Sequence, residues 1–327
     1  MNKPVEMSVK QYYGEIDYAK GILITLMVMF HLGHFNNQYP EMTSCVYSFH
    51  MSGFLLLSGY LFSYKKEIGT FCCQIRVLLV PYIVFELLYL VGLGYLGKYL
   101  GASNVFDGNI VQLIYYVLSK PSGTYWYLHT LILCSLVYYF TSSIRKLSDI
   151  GAVVIACITL FLISLVVEGL HWENVMYFML GASIRRLQIK LPESILASWY
   201  CFFGIVAIIL FTDKYDRFSL SGIGLTFMVL GFLFAIYKYM PNNMVSKVVC
   251  HVGKNSLAIV LFSPILTILT KSYVSLFEFD DTVILWMFVS VILVHSLSII
   301  GIKLADFTHI SQVMTGKKLY ISYNDGK

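Results

Sequence analysis

The sequence has few charged residues: Asp, Glu, Lys and Arg together make up 13% of its 327 residues. Typical soluble domains have about 25%. Hydrophobic residues make up 58%, and the mean hydropathy is +0.73. Because so few charges cannot cover a water-exposed surface, the composition excludes an ordinary soluble protein. We therefore predict an integral membrane protein whose partner is the lipid bilayer.

The sequence also lacks a metal-binding or disulfide pattern. Its seven cysteines are an odd number, none shows the paired spacing of zinc ligands, and several lie in apolar runs. We expect buried, unreactive thiols and no metal. The first fifteen residues are polar and the first apolar run has no small-residue cleavage site, so no cleavable signal peptide is expected.

Linkers and internal repeats are missing as well. No polar or Pro/Gly-rich linker divides the chain, so residues 1–327 are expected to form a single membrane-embedded domain. The absence of a repeat disfavours a transporter built from duplicated halves. The net charge of +5 could suggest a nucleic-acid partner, but the positions of the charges fit membrane topology better. No nucleic-acid partner is expected, and the oligomeric state is open.

Apolar runs near the length of a bilayer crossing predict about ten transmembrane helices, and hence an all-α fold. If the N-terminus is cytoplasmic, 18 of the 23 Lys and Arg residues fall on the inner side and five on the outer side. This bias, with an even number of crossings, predicts that both termini are inside. The runs are 17–36, 43–63, 77–97, 124–141, 149–168, 173–186, 195–212, 218–238, 255–273 and 282–302.

Ionisable residues within the first apolar run suggest function. Lys20 and His31 are eleven residues apart, so on a helix they share one face and are separated by roughly 16 Å along the axis. Ionisable groups are costly inside a membrane and usually mark a functional site. Asp17, three residues before Lys20, could pair with it and orient it.

Several motifs occur in a fixed order along the chain, and together they resemble the acyltransferase 3 family. The opening of that family carries an Arg or Lys, ten intervening residues and a His, as Lys20 and His31 do. The resemblance implies a multi-pass protein that moves acyl groups from acyl-coenzyme A to sugars. The further similar stretches are Phe49-His50-Met51, Leu57-Ser58-Gly59-Tyr60, Arg76 with Leu78-Leu79-Val80-Pro81-Tyr82, and Gly253-Lys254-Asn255-Ser256-Leu257-Ala258-Ile259; weaker echoes are Trp126-Tyr127-Leu128 and Gly181 with Arg185-Arg186.

His31 is the candidate general base, and His50 is a second catalytic candidate. Both are expected roughly 8–10 Å below the outer ends of neighbouring helices. Histidine suits proton transfer near neutral pH. The alternative for His31 is a packed, hydrogen-bonded side chain, and for His50 a role in shaping its helix. His34 could ligate a metal with His31, but no carboxylate stands at ligand spacing beside them.

Four basic residues near the predicted inner boundary are candidates for binding the donor: Lys20, Arg76, Arg185 and Arg186. Coenzyme A carries several phosphate groups, which arginine binds bidentately. Acetyl-coenzyme A or another acyl-coenzyme A is the donor that the resemblance implies. The alternative is that these residues anchor the chain at the cytoplasmic surface.

Glu86 is the single acid well inside a predicted span, and we consider it a third catalytic candidate. It could hold a histidine tautomer or serve as a structural partner of a Tyr or Lys.

One departure from the family concerns the late motif, which commonly ends on a His. Ser263-Pro264 stand there instead, which leaves open what this helix contributes.

The sequence thus predicts a membrane O-acyltransferase, with acetyl as the expected acyl group. The resemblance implies a cytoplasmic acyl-coenzyme A donor and, as acceptor, a sugar hydroxyl of a cell-surface or lipid-linked glycan. The expected location is a cell membrane, in bacteria the cytoplasmic membrane. The alternative is a multi-pass carrier or flippase for a sugar or lipid, which ten helices with buried charges would fit equally well.

Overall fold

The computed structural model describes residues 14–100, 109–144, 147–191, 197–212 and 214–315, and side chains within these ranges except 93–100 and 313–315. These residues form helices and connecting loops, with no strand among them. The helices are α1 Gly14–Phe30, α2 Gly33–Gln38, α3 Pro40–Leu61, α4 Ile68–Leu100, α5 Ile110–Ser119, α6 Trp126–Ser142, α7 Asp149–Ser164, α8 Trp172–Arg186, α9 Tyr200–Phe211, α10 Leu220–Tyr239, α11 Met244–Lys254, α12 Ser256–Leu269, α13 Ile284–Phe307 and α14 Ile310–Thr315, with a 3-10 helix at Thr270–Phe277.

The all-helical prediction is confirmed for the described residues, and each of the ten apolar runs overlaps a helix. Four of these helical stretches are long and apolar enough to cross a membrane: Ile68–Gly92, Leu220–Tyr239, Ser256–Phe277 and Ile284–Phe307. The count of ten crossings and the inside location of both termini stay predictions.

Apolar side chains cover much of the outer surface of the helix bundle. Ile150 on α7 is 74% exposed, and Phe211 at the end of α9 is 87% exposed. In water such surfaces would drive association, whereas lipid tails solvate them. The outward-facing sides of these helices therefore suit a bilayer.

Side-chain caps start several of the helices. Ser148 accepts a hydrogen bond from the Gly151 N–H at the start of α7, and Ser219 accepts one from the Gly222 N–H at the start of α10. Each cap satisfies a backbone donor that has no partner within the helix. These polar residues therefore fix where the apolar helices begin.

Helix α1 lies at the centre of the bundle, in contact with α3, α10, α11, α12 and α13. Its backbone touches that of α11 at two glycines. A Cβ on Gly21 would overlap the Val249 carbonyl oxygen, and a Cβ on Gly253 would overlap the Asp17 carbonyl oxygen. Neither position therefore has room for a side chain, and α1 is held at one depth and rotation.

Helices α3 and α8 approach each other in the same way. A Cβ on Gly59 would overlap the Phe178 carbonyl oxygen, and a Cβ on Gly181 would overlap that of Leu56. Small residues allow such close contact between membrane helices, where packing replaces the hydrophobic effect as the driving force. Gly59 and Gly181 therefore permit the close approach of α3 and α8.

We predict that Gly253→Ala destabilises the protein, because the added methyl group must push α11 away from the Asp17 carbonyl. Overpacking of this kind costs about 1–3 kcal/mol. The midpoint of thermal unfolding of the purified protein in detergent should fall. Gly69→Ala is the matched control, since a Cβ at Gly69 meets no atom within 4 Å. Equal midpoints for the two variants would contradict the backbone contact between α1 and α11.

Candidate active site

Two cavities lie at opposite ends of α1. The first, called here the Lys20 cavity, has a volume of about 200 Å³ and lies among α1, α3, α4, α6 and α12. The second, the His31 cavity, has a volume of about 180 Å³. The two predicted residues of the first helix thus each line a cavity, one at either end.

The His31 cavity is lined mainly by residues that follow α1, by the loop before α6, by α12 and by the 3-10 helix. Its polar lining is hydroxyl-rich: Thr124, Ser263 and Thr267 all contribute. The buried Oγ1 of Thr124 and Oγ of Ser263 have no hydrogen-bond partner within the described part of the chain. Buried hydroxyls are normally paired, so these two are free to bind a ligand.

His31 is held by its own helix. Its Nδ1 lies 2.7 Å from the Met27 carbonyl oxygen, one turn earlier. A carbonyl oxygen can only accept, so Nδ1 carries the hydrogen and, in the neutral ring, Nε2 carries the lone pair. In the described residues Nε2 makes no hydrogen bond. His31 therefore presents the basic nitrogen that a general base needs.

His50 has the same arrangement and lies close to His31. Its Nδ1 is 2.7 Å from the Val46 carbonyl oxygen, while its buried Nε2 has no partner among the described residues. The ring of Tyr47 lies between the two histidines, with centroids 5.5 Å from His31 and 5.3 Å from His50. The two catalytic candidates of α1 and α3 are thus brought together around one tyrosine.

Arg217, in the loop between α9 and α10, also belongs to this site. Its Nε donates to the Tyr47 carbonyl oxygen at 3.1 Å, and its Nη1 donates to Asn174 Oδ1 at 3.2 Å. The guanidinium lies 5.6 Å from the centroid of Trp126. Its charge acts on both His31 and His50. Sequence analysis missed Arg217, whose one signal is that it belongs to the few cations on the predicted outer side.

Glu86 makes no hydrogen bond to His31 or His50. Its Oε1 accepts a hydrogen bond of 2.7 Å from the Ser122 N–H, and its buried Oε2 has no partner among the described residues. Gly123 and Thr124, which follow Ser122, line the His31 cavity. Backbone carbonyls, and not Glu86, hold the tautomers of His31 and His50. The contact of Glu86 is to the wall of the cavity, and its catalytic role stays a prediction.

Lys20 lines the first cavity together with several hydroxyl groups. Its Nζ lies 4.0 Å from Asp17 Oδ1, which confirms the predicted pair. Ser58 and the Tyr127 hydroxyl are 2.7 Å apart on one wall. Ser135, also lining the cavity, is 2% exposed and makes no hydrogen bond to the described residues. A cation, hydroxyl groups and apolar walls in one cavity suit a ligand with both polar and apolar parts.

The three arginine candidates differ in their surroundings. Neither Arg76 nor Arg185 lines the Lys20 cavity, although Gln74, on the same helix as Arg76, does. Arg76 is exposed near the start of α4. The Arg185 guanidinium lies 5.7 Å from the centroid of Tyr60. Binding of a donor by Arg76 and Arg185 stays a prediction.

Arg186 is engaged within the protein. Its Nε and Nη2 donate to Asp149 Oδ1 at 2.9 and 2.6 Å, and its Nη1 donates to Ser142 at 2.9 Å. The guanidinium stacks 4.3 Å from the centroid of Tyr64. The side chain is 6% exposed. Arg186 thus joins α8 to the helices before it, and the hypothesis of donor binding by Arg186 is untested beside this structural role.

In the described ranges, no group of three or more His, Cys, Asp or Glu side chains lies together as a metal site would require. His34 is exposed and its ring meets Trp286 edge to face, with centroids 5.5 Å apart. The expected absence of a metal stays a prediction.

Comparison with protein families matches residues 13–303 to the acyltransferase domain of the acyltransferase 3 family, which is nearly the whole chain. No curated protein and no solved structure matches the chain.

We predict that Arg186→Gln destabilises the protein by about 2 kcal/mol, because it removes charge-assisted hydrogen bonds from a buried side chain. Arg185→Gln removes the same charge from the neighbouring position and should change stability less, since no ion pair of Arg185 to a described carboxylate is present. Thermal unfolding of both purified variants measures this. An equal loss for both would contradict the structural assignment of Arg186.

Proposed function

The chain belongs to the acyltransferase 3 family, and from that premise we propose that it moves an acyl group from cytoplasmic acyl-coenzyme A to a carbohydrate hydroxyl across a membrane. Family membership and the apolar helices establish a membrane acyltransferase. The donor, the acceptor and acetyl as the acyl group are the proposed part. So are one domain over residues 1–327, both termini inside, and the bacterial cytoplasmic membrane.

One observation carries this proposal: Lys20 lies on α1, His31 directly follows its last residue, and each of them lines a separate cavity. The spacing of eleven residues separates them by roughly 16 Å, about half the thickness of a bilayer core. A donor bound from one side and an acceptor bound from the other could thus meet beside α1.

His31 acts as the general base in the proposed reaction. Its Nε2 takes the proton of the acceptor hydroxyl while that oxygen attacks the thioester carbonyl carbon. The carbon–sulfur bond then breaks, and the proton passes to the departing coenzyme A thiolate. The Met27 carbonyl keeps Nε2 in the basic form and stabilises the imidazolium that forms transiently.

On the donor side, Lys20 would bind a phosphate group, oriented by Asp17. Arg76 and Arg185 would contact phosphates at the mouth of the cavity. The Ser58–Tyr127 pair and the unpartnered Ser135 would meet the polar amide groups of the coenzyme A arm.

On the acceptor side, the unpartnered hydroxyls of Ser263 and Thr124 would bind sugar hydroxyls. This gives a function to Ser263, which stands where the family commonly has a histidine. Glu86 would position this wall by holding the Ser122 N–H, and His50 would support His31 through the Tyr47 ring between them.

We predict that His31→Ala lowers the rate of acyl transfer by about 10²–10⁴-fold, the usual contribution of a general base. The measurement is turnover by purified protein with acetyl-coenzyme A and a glycan acceptor. His34→Ala is the matched control, since it removes the same type of side chain three residues away at an exposed position. Near-normal turnover by folded His31→Ala would refute the assignment.

We predict that Lys20→Ala raises the KM for acyl-coenzyme A about 10-fold, because it removes one charge-assisted hydrogen bond to a phosphate. The KM for the acceptor should change little. Lys238→Ala, which removes an exposed lysine on the predicted inner side, is the control. An unchanged dependence on acyl-coenzyme A would remove Lys20 from the donor site.

A further inference from the structure

The His31 cavity is basic. Among the described residues, its lining includes the cation Lys271 and the neutral imidazole of His31 but no Asp or Glu. Lys271 is exposed and forms no ion pair with a described carboxylate. A cavity with an exposed lysine and no acid attracts anions and raises their local concentration.

Arg217 is a second cation near His31, on which its charge acts, although it does not itself line the cavity. A guanidinium has five N–H donors, and the bonds to Tyr47 and Asn174 use two of them. The side chain is partly buried, and burial lowers the pKa of Arg217 below the ordinary arginine value. Within the described chain it forms no ion pair. The carboxylates of Glu173 and Asp216 act on its charge without forming an ion pair, but burial is the larger effect. An anionic ligand would therefore relieve part of the cost of burying this charge.

Asn174 supplies a further donor next to Arg217. The residue is fully buried, and its Oδ1 accepts from the guanidinium. Its Nδ2 is buried and has no partner among the described residues. Anchoring of the loop accounts for the two hydrogen bonds that Arg217 donates. It does not account for the unpartnered Nδ2 of Asn174 or for the three remaining N–H donors of Arg217. A guanidinium and an amide side by side suit a carboxylate or a phosphate.

We infer that the acceptor carries an anionic group, a carboxylate or a phosphate, which Arg217 and Asn174 bind and Lys271 attracts beside His31. This inference rests on the proposed function, and it names the chemical class of the acceptor. Anionic recognition would hold the sugar so that a neighbouring hydroxyl meets His31 Nε2. The acceptor is thus an acidic or phosphorylated sugar rather than a neutral one.

The test is calorimetric binding to the full-length purified protein without any acyl donor. The three probes are methyl glucoside, methyl glucuronide and methyl glucoside 6-phosphate, which share one ring and differ in charge. We expect the wild type to bind one of the two anionic probes at least about 10-fold more tightly than methyl glucoside, as one charge-assisted contact allows. The anion that binds more tightly identifies the group as carboxylate or phosphate.

Arg217→Gln should abolish this preference, and Lys271→Gln should reduce it, because each variant weakens binding of the anionic probe. Lys214→Gln is the matched control, because it removes an exposed cation from the same loop and should retain the preference. If Arg217→Gln does not fold, the test uses Asn174→Ala and the surface variant Lys271→Gln, which should both reduce the preference for the anionic probe. A full preference in both folded variants would overturn the inference.

Equal binding of all three probes by the wild type would overturn the inference, as would a full preference in folded Arg217→Gln. These outcomes are distinct from failure of the proposed function. Anion-selective binding by a protein that transfers no acyl group would refute the acyltransferase proposal for sugars and leave the anion site in place. Acyl transfer to neutral sugars, without tighter binding of the anionic probes, would support the acyltransferase proposal and overturn the inferred anion site.

Discussion

Backbone contact between α1 and α11 is the constraint on which the rest of the site depends. Because Gly21 and Gly253 have no side chains, each lets a carbonyl oxygen of the other helix approach where a Cβ would stand. Such contact allows little sliding or rotation of α1. Rotation of α1 by one residue, about 100°, would turn Lys20 and His31 away from their cavities. A similar backbone contact at glycines between α3 and α8 fixes the position of α3, and therefore the positions of Tyr47 and His50.

Polar groups inside this bundle are satisfied mainly by their own helices. His31, His50 and His295 each place Nδ1 within hydrogen-bonding distance of a carbonyl oxygen four residues earlier. What distinguishes them is the partner of Nε2. For His295 it is the Thr25 hydroxyl, at 3.2 Å, whereas the Nε2 atoms of His31 and His50 have none in the described residues. A buried nitrogen without a hydrogen-bond partner is costly, so its retention in His50, close to the cavity-lining His31, fits a chemical role.

Cations serve different purposes in different parts of the protein. Arg186 is nearly buried and has its donors occupied by Asp149, Ser142 and Tyr138, so its charge stabilises the packing of α8. Lys20 and Lys271 instead face cavities. Residue type and predicted side of the membrane do not separate these cases, since a buried arginine and a ligand-binding arginine look alike in a sequence. The hydrogen-bond and ion-pair partners of each cation determine its role, and these partners come from other parts of the chain.

The sequence by itself determined the helical, membrane-protein class, the family and the Asp17–Lys20 pair, and it predicted that Lys20 and His31 share a helix face. All of these are local, because composition, periodicity and a spacing of a few turns suffice to derive them. Only the tertiary structure decided that Glu86 meets a loop N–H, that Ser263 enters the His31 cavity, and that Arg217 joins the histidines. Arg217 contacts Tyr47 across 170 residues of chain. Such contacts follow from how the helices pack together, and helical periodicity specifies which face is buried but not which distant residue it meets.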